Sequence, residues 1–91
     1  MRVQHTIRRK LELAFQPQRL DIEDHSSRHA GHAHAPVGGE SHFNITLVSD
    51  QFAGLSRLDR QRRVHTVLRD ELDGPVHALS LILLTPQEDK G

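Results

Sequence analysis

A stretch without apolar periodicity, residues 26–39, is the feature that most constrains how this chain can fold. It consists mainly of Ser, His, Ala, Gly and Pro, and connections of this length are usually functional or disordered. Alternating apolar residues flank it on both sides: Leu20, Ile22, Phe43, Ile45 and Leu47. This alternation is typical of half-buried strands, and two strands joined by such a connection can pair antiparallel. The sequence therefore predicts two paired strands on either side of a long connection.

Helical spacing of apolar residues occurs before the first strand and after the second. The first helix is predicted to run to Phe15 and to end before Pro17, because proline disfavours helical geometry in the residue before it. The second helix begins at Ser56, which is followed by Asp59 in a pattern resembling a capping box. A Gly-then-Pro sequence at residues 74–75 ends that helix. The apolar residues of the second helix are Val64, Val67, Leu68 and Leu72.

Residues 76–85 form the third predicted strand, which is apolar on both faces. Such a strand is usually central in its sheet or covered by a partner. A helix precedes it, and this favours a parallel crossover from the second strand. The resulting order is α-β-β-α-β, an α+β fold with a three-stranded mixed sheet and both helices on one face. Residues 1–88 form one domain, and residues 89–91 are a short tail.

The absence of cysteine excludes several kinds of site. The chain cannot form disulfides, a cysteine-ligated zinc finger, a thiol nucleophile or a self-sufficient iron–sulfur centre built on thiolates. Histidine, by contrast, is abundant: five of the eight fall between positions 25 and 42. Because histidine titrates near neutrality, this concentration makes the charge of the chain sensitive to pH.

The histidines differ in their positions, and only some are candidate ligands. His29, His32 and His34 lie within the long connection, and His25 and His42 bracket it. His77 begins the third strand, next to the Gly-Pro turn, while His5 precedes the first helix and His65 lies in the second; these last two are expected at the surface or an interface. Two alternatives need no ligand role. The histidines of the long connection could belong to a flexible polar segment, and His77 could be a structural residue of the strand. If His77 meets the other histidines, two neutral imidazoles make an incomplete metal site, and another molecule must supply the remaining ligands.

Positive charge is concentrated in the second helix although the formal net charge is zero. Its first two turns contain Arg57, Arg60, Arg62 and Arg63, and its last turn contains Asp70, Glu71 and Asp73. Acids are more stabilising near the N-terminus of a helix, so this order does not favour stability. The arginines predict a surface for an anion or an acidic partner; a solvated face with local ion pairs is the alternative.

The sequence gives little support for an enzyme, a membrane protein or a protein with a transit peptide. Ser41 and His42 are neighbours in a strand and point to opposite faces, so they form no nucleophile–base pair, and we expect no enzymatic activity. No apolar run reaches the roughly 20 residues of a membrane span. Glu12 and the lack of a cleavage-like segment argue against a transit peptide, so we expect a cytoplasmic protein.

Seven motifs, in order and over nearly the whole chain, resemble the BolA family, the stress-induced morphogen type. They are Phe15-Gln16-Pro17, Ser26-x-x-His29, Gly39-Glu40-Ser41-His42-Phe43, Val48-Ser49-x-x-Phe52-x-Gly54, Arg60-x-Arg62, Asp70-Glu71-Leu72 and Val76-His77-Ala78-Leu79. The resemblance implies a class II KH-like fold without the G-x-x-G loop. Two positions depart from the family pattern: His25 stands where an acid is usual, and Gln61 where histidine is common between the two arginines.

The resemblance also implies a partner and a cofactor. Family members form heterodimers with monothiol CGFS glutaredoxins, in which a [2Fe–2S] cluster is bridged by the glutaredoxin cysteine, glutathione and the BolA-like protein. The family ligand of the Val-His-Ala-Leu motif corresponds to His77, and the second ligand to His29 or, counting back from Glu40, to His32 or His34. The isolated chain is then a monomer that binds no cluster itself. The arginines would contribute to docking of glutathione or glutaredoxin.

Two other functions remain open. Some family members are DNA-binding transcriptional regulators of morphology and stress genes, although zero net charge and the scarcity of aromatic residues favour that function less here. The other function is that of an adaptor, which binds glutaredoxin without holding metal itself.

Overall fold

The fold is seen in a computed structural model that describes residues 2–24 and 42–89. The elements, in chain order, are α1 (Arg2–Phe15), β1 (Arg19–Asp24), β2 (His42–Val48), a 3₁₀ turn (Asp50–Phe52), α2 (Arg57–Val67), α3 (Arg69–Asp73) and β3 (Ala78–Leu84). The predicted α+β class is confirmed. None of the helices in these two ranges is long and apolar enough to cross a membrane.

Helix α1 forms because its apolar residues recur once per turn on one face. Ile7, Leu11 and Phe15 are buried there, at the four-residue spacing that places side chains on the same stripe. The helix ends where Gln16 adopts a left-handed conformation, with φ of 47°, immediately before Pro17. The Gln16 N–H still donates to the Glu12 carbonyl at 3.0 Å, which satisfies one of the last carbonyls of the helix.

The three strands form one mixed sheet in the order β1-β2-β3. Strand β1 pairs antiparallel with β2, so that Leu20 lies opposite Leu47, and β2 pairs parallel with β3, so that Leu47 lies opposite Leu83. Both pairings agree with the sequence prediction. Strand β2 is central and contributes the deepest residues of the sheet, Phe43, Ile45 and Leu47.

The two faces of the sheet differ in chemistry. The inward side chains of β2 pack with buried residues of the helices and the 3₁₀ turn in a single core: Ile7, Leu11, Phe15, Phe52, Val64 and Leu68. The opposite face is polar on β1 and β2, where Asp21 and Asn44 are exposed, and more apolar on β3, where Ile82 is exposed. The helices therefore cover one face, as the sequence predicts.

The region predicted as one long second helix contains two helices. Helix α2 ends at Val67, and Leu68 takes a non-helical conformation (φ −102°, ψ 20°) while its side chain remains buried. Asp70 and Glu71 consequently lie in the first turn of α3, where acids interact favourably with the helix dipole. The expectation that they lie in the last turn of the arginine-rich helix was wrong. The break between the two helices is not readable from the sequence, because no Gly or Pro occurs there.

Strand β3 is shorter than predicted and lies at an edge of the sheet. It begins at Ala78, so Val76 and His77 precede it, and it pairs only with β2 among the described strands. The apolar residues on both its faces are therefore not explained by a central position. One face is covered by the fold itself, since Leu79, Leu81 and Leu83 pack in or against the core, and coverage of the other face by a partner stays a prediction.

Candidate functional site

His77 is exposed and lies immediately before the first residue of β3. The next residue, Ala78, is in register with His42, the exposed first residue of β2. Neighbouring strands are about 4.8 Å apart, so the backbones carrying the two histidines are adjacent at one end of the sheet. The structure therefore brings His42 next to the predicted ligand His77.

The connection that carries the other candidate histidines is attached at this same end. Strand β1 runs antiparallel to β2, and its last residue, Asp24, lies opposite Phe43, the second residue of β2. The chain thus leaves the sheet after Asp24 and returns at His42, beside the start of β3. The predicted second ligands, His29, His32 and His34, and also His25, lie outside the described residues.

The described residues alone do not assemble a complete metal site. Within residues 2–24 and 42–89, no three His, Cys, Asp or Glu side chains are grouped closely enough to hold an ion. His65 is exposed in α2, as predicted. His5 is also exposed but lies inside α1 rather than before it, because α1 already begins at Arg2.

The approach of the backbone to His77 is fixed by the end of α3. The carbonyl of Glu71 accepts hydrogen bonds from the N–H groups of Gly74 and Val76, at 3.2 and 2.9 Å. Val76 is itself buried in the core, directly before the exposed His77. The residue before His77 is therefore fixed in the core by its side chain and its backbone hydrogen bond, and His77 is the first exposed residue after it.

Glu71 is in turn held by a residue of the first helix. Its side chain is almost completely buried, and Lys10 Nζ donates to Glu71 Oε1 at 2.9 Å. The hydrogen bond to Glu71 raises the pKa of Lys10 above its usual range. Sequence reasoning missed Lys10 and gave Glu71 no role, because 61 positions separate the two residues and no periodicity links them.

Of the four arginines predicted to bind an anion, Arg60 is used inside the fold. Its side chain is only 11% exposed, and its guanidinium donates to the carbonyls of Leu55 and Leu83 at 3.1 and 3.0 Å. It also forms two hydrogen bonds with the Glu88 carboxylate and lies 5.9 Å from the Phe52 ring centroid. These contacts give Arg60 a structural role and leave little of its guanidinium for a partner.

The other three arginines are exposed but face two different grooves. Arg62 and Arg63 border a groove of about 380 Å³ between α2 and the end of α1, with Ala14 and Phe15 on its other side. Arg57 instead borders the edge of β3. The single arginine surface predicted from sequence is therefore divided in two: Arg62 and Arg63 share one groove, and Arg57 borders another together with Arg60. Binding of an anion or acidic partner by Arg57, Arg62 and Arg63 stays a prediction.

These features define a small α+β domain with an exposed histidine at one end of its sheet. A family model described as "BolA-like protein" matches residues 11–88, and the chain belongs to this family. The chain is 46% identical over 88 residues to "BolA-like protein 1" of Bos taurus, covering 97% of this chain and 62% of the relative. It thus spans less than two thirds of that relative's length.

Two further relatives have different names. "DNA-binding transcriptional regulator BolA" of Escherichia coli (strain K12) is 43% identical over 91 residues, covering 100% of this chain and 83% of the relative. "SufE-like protein 1, chloroplastic/mitochondrial" of Arabidopsis thaliana is 46% identical over 86 residues, covering 90% of this chain and 23% of the relative. The family region therefore occurs both as most of a protein and as a small part of a longer one.

Solved structures agree with the fold. "BolA1 from Arabidopsis thaliana" superimposes with a TM-score of 0.82 at 39% identity, covering 96% of this chain and 95% of that one. The "BolA domain of SufE1 from Arabidopsis thaliana" gives a TM-score of 0.79 at 45% identity, covering 92% of both chains. The predicted KH-like α+β architecture is thus that of known BolA structures.

Proposed function

We propose that this chain is an accessory protein of iron–sulfur cluster assembly or trafficking that binds a monothiol CGFS glutaredoxin and shares a [2Fe–2S] cluster with it. The observation that carries the proposal is the position of His77, exposed at the end of the sheet where residues 25–41 begin and end. One ligand from this position and one from His29, His32 or His34 would complete the contribution of this chain.

The donor chemistry fits a shared site. The chain has no cysteine, and the described residues offer histidines without a third grouped ligand. Neutral imidazole is a suitable ligand for iron, and the thiolates would come from the glutaredoxin and glutathione. When bound, a [2Fe–2S] centre with histidine ligands has a higher reduction potential than one held by thiolates alone. His77 would therefore hold one side of the cluster and the partner the other.

Absorption and visible circular dichroism spectra of a cluster-loaded CGFS glutaredoxin test this function. Adding the chain is expected to change the spectrum, and His77→Ala is expected to abolish the change. His65→Ala is the matched control, because His65 is also exposed but lies within helix α2 and not beside the strand ends that carry His42 and His77. Substituting His29, His32 and His34 one at a time identifies the second ligand.

The same experiment separates cluster sharing from an adaptor role. A spectrum left unchanged while the two proteins co-elute would mean that the chain binds glutaredoxin without contributing a ligand. Loss of the spectral change in His65→Ala as well as His77→Ala would indicate a general defect in docking. The first result would contradict ligation by His77, and the second would mean that the loss in His77→Ala reports docking and not ligation.

Transcriptional regulation through DNA is the second candidate function. It is favoured by the name of the Escherichia coli relative, which matches this chain over its whole length. The exposed Arg62 and Arg69 lie along one groove beside α2 and α3, where phosphates would contact them, and the groove is also lined by His65 and one acid, Asp73. A gel shift with the promoter DNA of the chain's own gene at physiological salt tests this function. We expect Arg62→Gln and Arg69→Gln to weaken any such binding, while His77→Ala leaves it unchanged.

The remaining expectations about function also stay predictions. They are the cytoplasmic location, the monomeric state of the isolated chain and the absence of enzymatic activity.

A further inference from the structure

The outer edge of β3 combines an apolar surface with available backbone. Strand β3 has the sequence ALSLILL, and the Ile82 residue is 56% exposed. Within the described residues β3 pairs on one side only. Natural proteins usually protect such an edge with charges, proline or a covering segment. This edge has an apolar sequence and no proline.

The direction of each backbone group on β3 follows from two hydrogen bonds. The Ser49 N–H donates to the Leu84 carbonyl at 2.9 Å, so the backbone of Leu84 faces β2. Because backbone direction alternates along a strand, the N–H and carbonyl groups of Leu81 and Leu83 face outward. The Arg60 guanidinium reaches the Leu83 carbonyl at 3.0 Å from that outer side, in agreement with this alternation. Among the described residues, no strand pairs with the outward backbone of Leu81, where a fourth strand could add.

A groove runs along this edge, between β3 and the first half of α2. One part, of about 280 Å³, is lined by Arg57 and Gln61 of α2 and by the last four residues of β3. A second part, of about 450 Å³, continues past Leu55 to Glu88, and Arg57 borders both parts. Arg57 is exposed and forms no ion pair with a described residue, whereas Glu88 is already held by Arg60. The groove thus offers leucine side chains, strand backbone and, in Arg57, a positive charge that no described acid pairs with.

We propose that this groove binds an extended acidic segment of a partner protein, which adds to β3 as a fourth strand. Strand addition supplies affinity through backbone hydrogen bonds, and alternate side chains of the added strand enter the groove. A carboxylate on the segment would pair with Arg57. A second copy of this chain fits less well, because joining two β3 edges would bring two Arg57 side chains to one seam. The site is distinct from His77, which precedes the other end of β3.

An amide NMR titration of the ¹⁵N-labelled chain tests this site. The probe is a blocked hexapeptide in which glutamate and valine alternate. The expected result is a set of shifts centred on Leu81, Leu83 and Arg57, with His5 and other residues of α1 unaffected. Two matched peptides serve as controls: one with lysine in place of glutamate, and one N-methylated at alternate residues so that it cannot pair with a strand.

The controls make the outcomes distinguishable. Arg57→Gln is expected to weaken binding of the acidic peptide about two- to fivefold, the effect of losing one exposed ion pair. The N-methylated peptide is expected not to bind. Equal binding of the N-methylated peptide, or no binding up to millimolar peptide, would overturn the proposal. So would concentration-dependent shifts of the same amides without peptide, since they would identify a second copy as the occupant.

Discussion

Arg60 and Glu88 form a two-pronged ion pair that ties the turn after β3 to helix α2. Arg60 Nη1 lies 2.6 Å from Glu88 Oε1, and Arg60 Nη2 lies 3.3 Å from Glu88 Oε2. The same Glu88 oxygen, Oε1, accepts the Thr85 N–H at 2.8 Å. These hydrogen bonds, that from Arg60 first, lower the pKa of Glu88 to about 2. The carboxylate therefore stabilises the fold in its charged form.

The first prediction concerns the pH dependence of stability. A carboxylate whose pKa is lower in the folded state contributes stability above its unfolded pKa of about 4.5, and this contribution is lost as pH falls toward 2. Glu88→Gln is expected to be less stable than the parent chain at pH 7, and the difference should shrink between pH 5 and 2. Urea denaturation across this range measures it. Asp73→Asn, at an exposed acid without a described ion-pair partner, is the control. A difference for Glu88→Gln that does not change with pH would contradict this role.

Arg60 illustrates what the sequence could and could not predict. Its position near the start of a helix was readable from the capping pattern and the clustered charges. Its contacts were not, because Leu83 and Glu88 lie 23 and 28 positions further along the chain. A cluster of like charges in sequence identifies a positive segment but not the direction of each side chain. The helix periodicity and strand alternation, by contrast, are local and correctly predicted α1, β2 and the mixed sheet.

The start of β3 shows the same limit. The apolar run beginning at Val76 predicted a strand that included His77. The strand begins two residues later because the Val76 N–H is bonded to the carbonyl of Glu71 instead of joining the sheet. A helix end packed beside the strand therefore decides the boundary, and no strand pattern contains that information.

The second prediction concerns Ser49, which belongs to one of the family-like motifs. Ser49 is fully buried; its Oγ donates to the Phe15 carbonyl at 2.7 Å and accepts the Gln51 N–H at 3.1 Å. Ser49→Ala removes the hydroxyl that makes both hydrogen bonds, so the Phe15 carbonyl and the Gln51 N–H lose this partner, and the free energy of unfolding is expected to fall by about 1–3 kcal/mol. Denaturant titration measures it, with the exposed Ser80→Ala expected to change stability by less than about 0.5 kcal/mol. Equal effects at the two serines would argue against the buried hydrogen bonds.

The third prediction concerns two left-handed backbone positions. Gln16 has a φ of 47°, which costs an ordinary residue about 1–2 kcal/mol but glycine almost nothing. Gln16→Gly is therefore expected to stabilise the chain by about 1 kcal/mol. Gly54 has a φ of 78°, and a Cβ there would meet no atom within 4 Å, so Gly54→Ala should destabilise through the backbone alone. Thermal unfolding of both variants checks the opposite signs; a loss of stability in Gln16→Gly would contradict this account.

The fourth prediction tests the support of His77 by Lys10 and Glu71. Lys10→Met leaves the buried Glu71 carboxylate without this partner, and it is expected to destabilise the chain more than the double variant Lys10→Met/Glu71→Leu. The double variant keeps the backbone hydrogen bond from Val76 to residue 71, so it should retain the His77-dependent spectral change with glutaredoxin. Denaturant titration and the spectral assay are the measurements. A double variant less stable than Lys10→Met alone would contradict this account, because it would show that the Glu71 side chain stabilises the fold even without Lys10.

The last prediction tests the groove bordered by Arg62 and Arg63 as a docking surface for glutaredoxin. Arg60 is unsuitable for this test, because its removal would leave the carbonyls of Leu55 and Leu83 without their donor. Arg62→Gln and Arg63→Gln are each expected to weaken the heterodimer about two- to fivefold at low salt. They should also reduce the dependence of affinity on salt, since exposed charges are screened by ions. Isothermal titration at two salt concentrations measures both effects, with the exposed Arg9→Gln on α1 as control. If all three variants behave alike, the charge of this groove does not contribute to docking.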